Sequence, residues 1–322
     1  MKFYPLKFEP ILKERLWGGT KLGEVLHKKI PNDITGESWE LSAVEGDVSI
    51  VANGPWQGTS LQTLIDEHQD GLLGRSVFDR FGTEFPILIK FIDAKKDLSI
   101  QLHPNDELAQ KRHGSFGKTE MWYIMDADPG AELIVGFNKE VEKTEYQERV
   151  ENGSLLDILN YEEVAEGDTF FINTGKIHAI GAGVLLAEIQ QTSDITYRVF
   201  DFNRKDKNGN LRELHTELAL DAIDYSKKDD FKVNYPQAEN ATNAMVECPY
   251  FKTDYLNLDR DFEQDLTSRD SFTIYLCVKG KARFKSEGGE ADLVKGETLL
   301  IPAATEQLRI ETDGARLLEV TI

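Results

Sequence analysis

The chain has 322 residues, and its 57 acidic residues outnumber its 37 basic ones, giving a net charge of -20 at pH 7. This acidity argues against nucleic acids and anionic membranes as partners, because both attract basic surfaces. Hydrophobic residues make up 40% of the chain, and no apolar run approaches the roughly 18 residues of a transmembrane helix. The two cysteines, Cys248 and Cys277, are too few for a disulfide framework. With no signal-like N-terminus, a cytoplasmic protein is expected.

Short β-rich segments separated by Gly, Pro and Asp turns dominate the middle of the chain. Their length and spacing are typical of an all-β sandwich or barrel, so we predict a mainly β fold. The predicted strands are FPILIKFIDA (Phe85–Ala94), LSIQL (Leu98–Leu102), EMWYIMDA (Glu120–Ala127), AELIVGF (Ala131–Phe137), DTFFINT (Asp168–Thr174) and GVLLAEIQQ (Gly183–Gln191).

Helices are predicted to interrupt the strands. Apolar residues at helical spacing indicate helices at Ser60–Leu73, Glu140–Asn160 and Leu211–Asp224. A fourth, short helix is expected after the sequence HPND, because Asn105 or Asp106 can cap the residues that follow. The polar stretch Tyr225–Asn243 is predicted to be a linker.

An internal repeat relates two parts of the chain. The segments EGDTFFINTGKIHAI and KGETLLIPAATEQLRI both read glycine, acidic residue, threonine, apolar triplet, turn and second strand. Gly167 of the first copy matches Gly296 of the second. Eleven residues further on, His178 matches Gln307, so the second copy keeps the strand pattern without the histidine.

A weaker match extends the repeat upstream. Aligning Tyr123 with Tyr275 places Glu120 opposite Phe272. Because polar residues of the first copy are missing from the second, we predict two domains. Residues 1–238 form a metal-binding catalytic domain with helical insertions near 60–73 and 140–160, and residues 239–322 form a degenerate domain without metal ligands.

Four polar residues lie on or beside strands of the first copy: Gln101, His103, Glu120 and His178. Two histidines and a carboxylate suit a divalent metal such as zinc with a position left for water or substrate. In a small barrel, side chains from neighbouring strands converge inward. Taken singly, each residue is more simply a satisfied polar group, so the prediction depends on the set, with Gln101 the weakest member.

A second group of charged residues lies close to these positions in the sequence. Its basic members can hold a phosphate or stabilise a developing oxyanion, although a surface ion-pair network would leave the same pattern. The group consists of Lys90, Lys118, Glu188, Asp194, Arg198 and Arg204.

The chain resembles the short bacterial form of the type I mannose-6-phosphate isomerase family. The resemblance covers most of the chain and weakens in the last eighty or so residues. It is carried by GESWELS (Gly36–Ser42), LSIQLHPND (Leu98–Asp106), GKTEMWYI (Gly117–Ile124) and GKIHAIGAGVLLAEIQQTSDITYRVFDFNR (Gly175–Arg204).

The resemblance implies two cupin-type (jelly-roll) β-barrel domains with short helical insertions. It also implies zinc-dependent interconversion of mannose 6-phosphate and fructose 6-phosphate. By motif, the zinc ligands would be Gln101, His103, Glu120 and His178. The essential arginine would be Arg198, the phosphate-contacting serine would be Ser99, and the basic substrate-site residues would be Lys90 and Lys118.

The expected reaction moves a proton between C1 and C2 of the sugar through a cis-enediol. The base remains open among Lys118, Glu188 and Asp194, and the subunit count remains open between monomer and homodimer. Two rival classes also remain. One is a dioxygenase with a two-histidine, one-carboxylate iron site, and the other is a cupin that binds sugar phosphates without catalysis.

Overall fold

The computed structural model describes residues 2–205, 208–228 and 231–322. Antiparallel strands dominate, which confirms the mainly β fold class. The strands are β1 (Ile11–Gly19), β2 (Thr35–Leu41), β3 (Ala43–Val44), β4 (Asp47–Val48), β5 (Ile87–Ala94), β6 (Ile100–Leu102), β7 (Glu120–Ala127), β8 (Glu132–Phe137), β9 (Leu159–Glu163), β10 (Thr169–Ile172), β11 (His178–Ile180), β12 (Val184–Gln191), β13 (Tyr197–Phe200), β14 (Thr242–Glu247), β15 (Lys252–Leu258), β16 (Phe262–Asp265), β17 (Thr273–Ser286), β18 (Gly289–Val294), β19 (Thr298–Ile301), β20 (Gln307–Glu311) and β21 (Ala315–Thr321).

Short helices connect the strands of the first barrel. None of those in the described part of the chain is long and apolar enough to cross a membrane. They are α1 (Lys21–Glu24), α2 (Leu61–His68), α3 (Asp70–Leu73), α4 (Arg75–Phe81), α5 (Asp106–His113), α6 (Lys143–Glu151), α7 (Thr216–Ala219) and a 3-10 helix (Leu155–Ile158).

The first barrel is built from two facing sheets. One has the strand order β1-β2-β5-β12-β7-β10 and the other β13-β6-β11-β8-β9. Alternate residues of each strand point between the sheets, where Ile92, Ile124, Leu133, Ile180 and Leu186 belong to one buried apolar cluster. This apolar half of the interior fixes the register of the polar residues further along the same strands.

The second barrel contains β14 to β21, in the order β14-β15-β21-β17-β20-β16 with β18 and β19 also paired to β17. A separate apolar cluster joins it to the first barrel, and within it the rings of Phe85 and Phe272 stack at 4.9 Å. The chain start takes part too, because Leu6 pairs with Leu300 of β19. A domain boundary near residue 239 stays a prediction.

Two of the predicted helices are shorter than the pattern suggested. The helix predicted at Ser60–Leu73 is divided into α2 and α3, because Gln69 has φ of 44° and ends the first run. The helix predicted at Glu140–Asn160 is reduced to α6 and the 3-10 helix, since Leu159 already begins β9. The cap predicted at Asn105 is confirmed: its Oδ1 accepts the N–H of Leu108 at 2.9 Å.

The helix predicted at Leu211–Asp224 is wrong for most of its length, because only α7 forms. The backbone N–H of His215 instead donates to the carbonyl of Arg198 at 2.7 Å, and His215 Nδ1 accepts the N–H of Arg198 at 3.2 Å. Tertiary pairing beside β13 has overridden local propensity.

The predicted linker Tyr225–Asn243 is largely without regular structure up to the start of β14. Its residues Asp229 and Asp230 lie outside the described residues. The part that follows them is fastened to the first barrel, since the N–H of Val233 donates to the carbonyl of Thr169 at 2.8 Å.

Strand pairing corrects the upstream end of the repeat by one residue. In the first barrel Ile172 pairs with Glu120, and in the second the matching Ile301 pairs with Thr273. Thr273, not Phe272, is therefore the counterpart of Glu120. A slip of one residue moves a side chain to the opposite face of a strand, which is why Phe272 packs between the barrels instead.

Candidate active site

Neighbouring strands bring the predicted metal ligands together. His178 begins β11 and pairs directly with Gln101 of β6, and His103 follows the end of that strand. Glu120 begins β7 in the facing sheet, where Gln190 of β12 is its cross-strand partner. The side chains of His103, Glu120 and His178 therefore project into the space between the sheets at one end of the barrel.

The three predicted ligands converge on one point. Glu120 Oε2 lies 3.7 Å from His103 Nε2, and Glu120 Oε1 lies 3.5 Å from His178 Nε2. These separations are close to the roughly 3.4 Å between ligand atoms of a tetrahedral zinc site. When one ligand atom is taken from each residue, the three atoms all lie within 4.8 Å of one another. No other such group of three or more His, Cys, Asp or Glu residues occurs among the described residues.

Backbone carbonyls orient both imidazole rings. His103 Nδ1 lies 2.8 Å from the carbonyl of Ile195, and His178 Nδ1 lies 2.8 Å from that of Lys176. A proton on each Nδ1 leaves the Nε2 lone pair free, which is the usual arrangement of a metal-binding histidine. Neither Nε2 atom, nor either oxygen of Glu120, has a hydrogen-bond partner in the described structure.

The electrostatics of the group match what metal ligation requires. Burial lowers the pKa of His103 to about 4 and also lowers the pKa of His178. Burial would raise the pKa of Glu120, but the positive Lys118 and the histidines outweigh it and hold this pKa well below its usual range. Neutral imidazoles beside an ionised carboxylate are the protonation states that bind a divalent metal. The residues present therefore fit such an ion.

Gln101, the fourth predicted ligand, pairs with His178 across the strands. Its Oε1 accepts a hydrogen bond from Ser99 Oγ at 3.2 Å, and Ser99 Oγ in turn accepts from Arg198 Nε at 3.2 Å. Arg198 is further fixed by donating from Nη1 to the carbonyl of Glu213 at 2.9 Å. The predicted glutamine, serine and arginine thus form one connected row across β6 and β13.

A second row of hydrogen-bonded polar and charged side chains lies on the facing sheet. Lys90 Nζ lies 2.9 Å from Glu188 Oε2 and donates to Gln190 Oε1 at 2.8 Å. The indole Nε1 of Trp122 donates to Glu188 Oε1 at 3.2 Å. Lys118 Nζ lies 3.2 Å from Glu120 Oε2. Burial would lower the pKa of Lys118, but Glu120 and Glu188 outweigh it and the pKa is raised.

The two rows form the walls of a cavity of about 420 Å³, a size typical of small-ligand sites. Asp194 lies at its rim and is exposed, whereas Arg204 is paired with Asp201 outside the cavity lining. The residues from the sequence prediction that line it are Lys90, Ser99, Gln101, Lys118, Glu188, Asp194 and Arg198.

Sequence reasoning missed several residues of the cavity lining, among them Arg15, Glu37 and Arg212. Arg15 forms a paired contact with Glu37, at 3.1 Å from Nε and 2.8 Å from Nη2, and Arg212 reaches the cavity from beyond β13. Burial would raise the pKa of Glu37, but Lys90 and Arg15 outweigh it and lower the pKa. Only the rarity of basic residues in an acidic chain offered a signal for the two arginines.

A double-barrel β protein of this kind belongs to the cupin class, and its first barrel carries a buried group of two histidines and one carboxylate that fits a metal ion. Residues 6–166 match the family model of the phosphomannose isomerase type I catalytic domain, and residues 240–320 match the mannose-6-phosphate isomerase cupin domain. The chain belongs to the type I phosphomannose isomerase family.

Individual relatives match nearly the whole chain. Mannose-6-phosphate isomerase ManA of Bacillus subtilis is 38% identical over 95% of this chain and 96% of its own length. The crystal structure of mannose 6-phosphate isomerase from Bacillus subtilis matches with a TM-score of 0.89 and 33% identity, covering 99% of both chains. The structure of a putative mannosephosphate isomerase from Archaeoglobus fulgidus matches with a TM-score of 0.79 and 25% identity, covering 99% of this chain and 98% of that one.

Metal content tests the triad directly. Replacing His178 by alanine should abolish binding of one equivalent of divalent metal, because two ligands rarely hold such an ion against competition from water. The matched control is His113→Ala, since His113 lies on α5 with its Nε2 2.9 Å from the hydroxyl of Tyr197 and takes no part in the triad. Equal metal content of the two variants, measured by plasma mass spectrometry, would contradict the assignment.

Proposed function

We propose that the chain interconverts mannose 6-phosphate and fructose 6-phosphate and that the reaction depends on one zinc ion per chain. The observation that supports this most strongly is the buried triad of His103, Glu120 and His178, whose ligand atoms all lie within 4.8 Å of one another. Membership of the phosphomannose isomerase family supplies the substrate class. Zinc, when bound, would act as a Lewis acid on the oxygens at C1 and C2 of the sugar.

The proposed reaction is an aldose–ketose isomerisation through a cis-enediol. A base takes the proton from C2 of the open-chain aldose, and the bonding electrons form the C1–C2 double bond while the C1 oxygen gains a proton. Delivering a proton to C1 and removing one from the C2 hydroxyl then gives the ketose. Lys118, held charged and 3.2 Å from Glu120 Oε2, would stabilise negative charge that develops on the substrate oxygens.

Of the three candidates for the base, Glu188 has the strongest structural support. Its carboxylate is buried in the cavity wall and is held in place by Trp122 and Lys90. Asp194 is exposed at the rim, where a carboxylate is free to exchange protons with bulk water. The pKa of Lys118 is raised. The lysine is therefore protonated at neutral pH and cannot accept a proton as a base.

The phosphate is assigned to the end of the cavity where the arginines gather. Arg198 is anchored through Nε to Ser99, and Arg212 Nη1 lies 3.4 Å from Asp201 Oδ1. Burial lowers the pKa of both guanidinium groups, and repulsion among neighbouring arginines lowers each further. A dianionic phosphate would relieve this repulsion and match the forked geometry of a guanidinium. In this arrangement Lys90 is engaged by Glu188 and contributes to the position of that carboxylate.

The function is tested by following both sugar phosphates in heavy water. The purified protein should interconvert mannose 6-phosphate and fructose 6-phosphate and incorporate solvent deuterium at the transferred position. A chelator should remove the activity, and zinc should restore it. Oxygen consumption with no isomerisation would favour a dioxygenase, and sugar-phosphate binding without deuterium incorporation would favour a non-catalytic cupin.

The base assignment predicts a contrast between two amide variants. Glu188→Gln should lower kcat by about 10²- to 10⁴-fold, the usual contribution of general acid–base catalysis, while zinc content is kept. Asp194→Asn should leave kcat close to that of the unaltered protein. Steady-state kinetics with matched metal loading provide the measurement, and the reverse order of the two variants would reject Glu188 as the base.

The phosphate assignment predicts a defect in substrate binding. Arg212→Ala should raise KM for mannose 6-phosphate, and the inhibition constant for inorganic phosphate, by about 10- to 100-fold, because a charge-assisted hydrogen bond is lost. Arg283→Ala is the control, since Arg283 is an exposed residue of the second barrel paired with Asp292. Unchanged inhibition by inorganic phosphate in Arg212→Ala would remove this arginine from the phosphate site.

A further inference from the structure

We propose that Tyr250, a residue of the second barrel, is a positioning residue for the metal centre of the first barrel. It lies on the turn between β14 and β15 and acts through Asp106 on the segment Gly117–Glu120, which carries Lys118 and the metal ligand Glu120. Its effect on turnover rests on the proposed function, whereas its effect on zinc affinity can be measured without any substrate.

The first step of the connection crosses from one barrel to the other. The hydroxyl of Tyr250 donates to Asp106 Oδ2 at 2.8 Å. Burial, followed by the hydrogen bond with Asp106, raises the pKa of Tyr250 to about 12. The hydroxyl therefore keeps its proton at neutral pH and acts as a donor. Asp106 is the first residue of α5 and stands three positions after the metal ligand His103.

Asp106 then fixes the approach to β7. Its Oδ1 accepts the backbone N–H of Gly117 at 2.8 Å and the side-chain amide of Gln191 at 3.1 Å. Gln191 uses its own Oε1 to accept the N–H of Thr119 at 2.8 Å, and its backbone N–H donates to the carbonyl of Thr119 at 3.1 Å. One carboxylate and one buried amide thus hold two amide groups on either side of Lys118.

A third amide of this segment is fixed as well, since the N–H of Lys118 donates to the carbonyl of Pro104 at 3.3 Å. The two chain segments approach so closely that a Cβ on Gly117 would lie 2.7 Å from the backbone nitrogen of Asp106. Only glycine fits there without displacement. These hydrogen bonds to residues 117–119, which we call the Gly117 clamp, set the distance between the segment after His103 and the segment before Glu120, two of the three residues of the triad.

Tyr250 is itself held in place by the first barrel. Arg80 of α4 donates from Nη1 to the carbonyl of Pro249 at 2.6 Å, and its guanidinium lies 6.0 Å from the centre of the Tyr250 ring. The turn that carries the tyrosine is thus also held by Arg80. This arrangement gives the second barrel, which has no group of metal ligands among its described residues, a defined contribution to the site.

The test removes one hydroxyl and keeps the ring. Tyr250→Phe should weaken zinc binding by about 3- to 10-fold, at or below the lower end of the effects seen when groups that orient ligands are lost. We expect kcat to fall by a similar factor while KM stays unchanged, because the phosphate end of the cavity is not connected to the clamp. Zinc affinity is measured on the metal-free protein by competition with a chromogenic chelator.

The matched control is Tyr235→Phe. The hydroxyl of Tyr235 donates to the carbonyl of Gly167, also at 2.8 Å, and no hydrogen bond among the described residues joins it to Asp106. Both variants should lose similar thermal stability, and only Tyr250→Phe should lose zinc affinity. Asp106→Asn should reproduce the loss, and the double variant Tyr250→Phe with Asp106→Asn should be no weaker than Asp106→Asn alone, because both act through one carboxylate.

Two outcomes decide the proposal. Equal zinc affinity in Tyr250→Phe, Tyr235→Phe and the unaltered protein would overturn it and leave Tyr250 as a packing contact between barrels. A loss of zinc affinity in Tyr250→Phe and in Asp106→Asn, with none in Tyr235→Phe, would support it. If that loss occurs in a protein that does not isomerise mannose 6-phosphate, the clamp stands and the proposed function fails.

Discussion

The structure depends on one buried carboxylate. Glu120 is fully buried between two imidazoles and the ammonium of Lys118, whose Nζ lies 3.2 Å from Oε2. Burying an ionised carboxylate is costly unless it is paired or coordinates a metal. Here the positive charge of Lys118 stabilises the carboxylate, and His103 and His178 complete a group that is suited to a metal cation. The strand register and the clamp at Gly117 hold this arrangement in place.

The two barrels stabilise a buried carboxylate in different ways. At the position equivalent to Glu120 the second barrel has Thr273, whose hydroxyl accepts a hydrogen bond from Arg269 at 2.9 Å. The same guanidinium pairs with the buried Glu319. An arginine therefore neutralises the interior carboxylate of the second barrel, where the first barrel has ligands suited to a metal. This internal cation explains how the second barrel keeps a polar interior without metal ligands.

Much of the site was predictable because it lies on strands. Period-two alternation places Gln101 and His103 on one face, and the repeat marked His178 as a residue that the second copy lacks. Arg15 and Arg212 were not predictable, since their approach to the cavity is decided by tertiary packing and not by local pattern. The helix expected at Leu211–Asp224 failed for the same reason: backbone pairing with Arg198 competes with its helical periodicity. Tyr250 became visible only once its distance to Asp106 was known.

The central claim is that the buried triad holds a zinc ion. Anomalous diffraction recorded on both sides of the zinc absorption edge, from crystals of protein purified without added metal, tests it most directly. The account predicts a single strong peak that appears only above the edge, about 2.0–2.2 Å from the Nε2 atoms of His103 and His178 and from a carboxylate oxygen of Glu120. The absence of a peak there, or a peak that persists below the edge at undiminished strength, would contradict it.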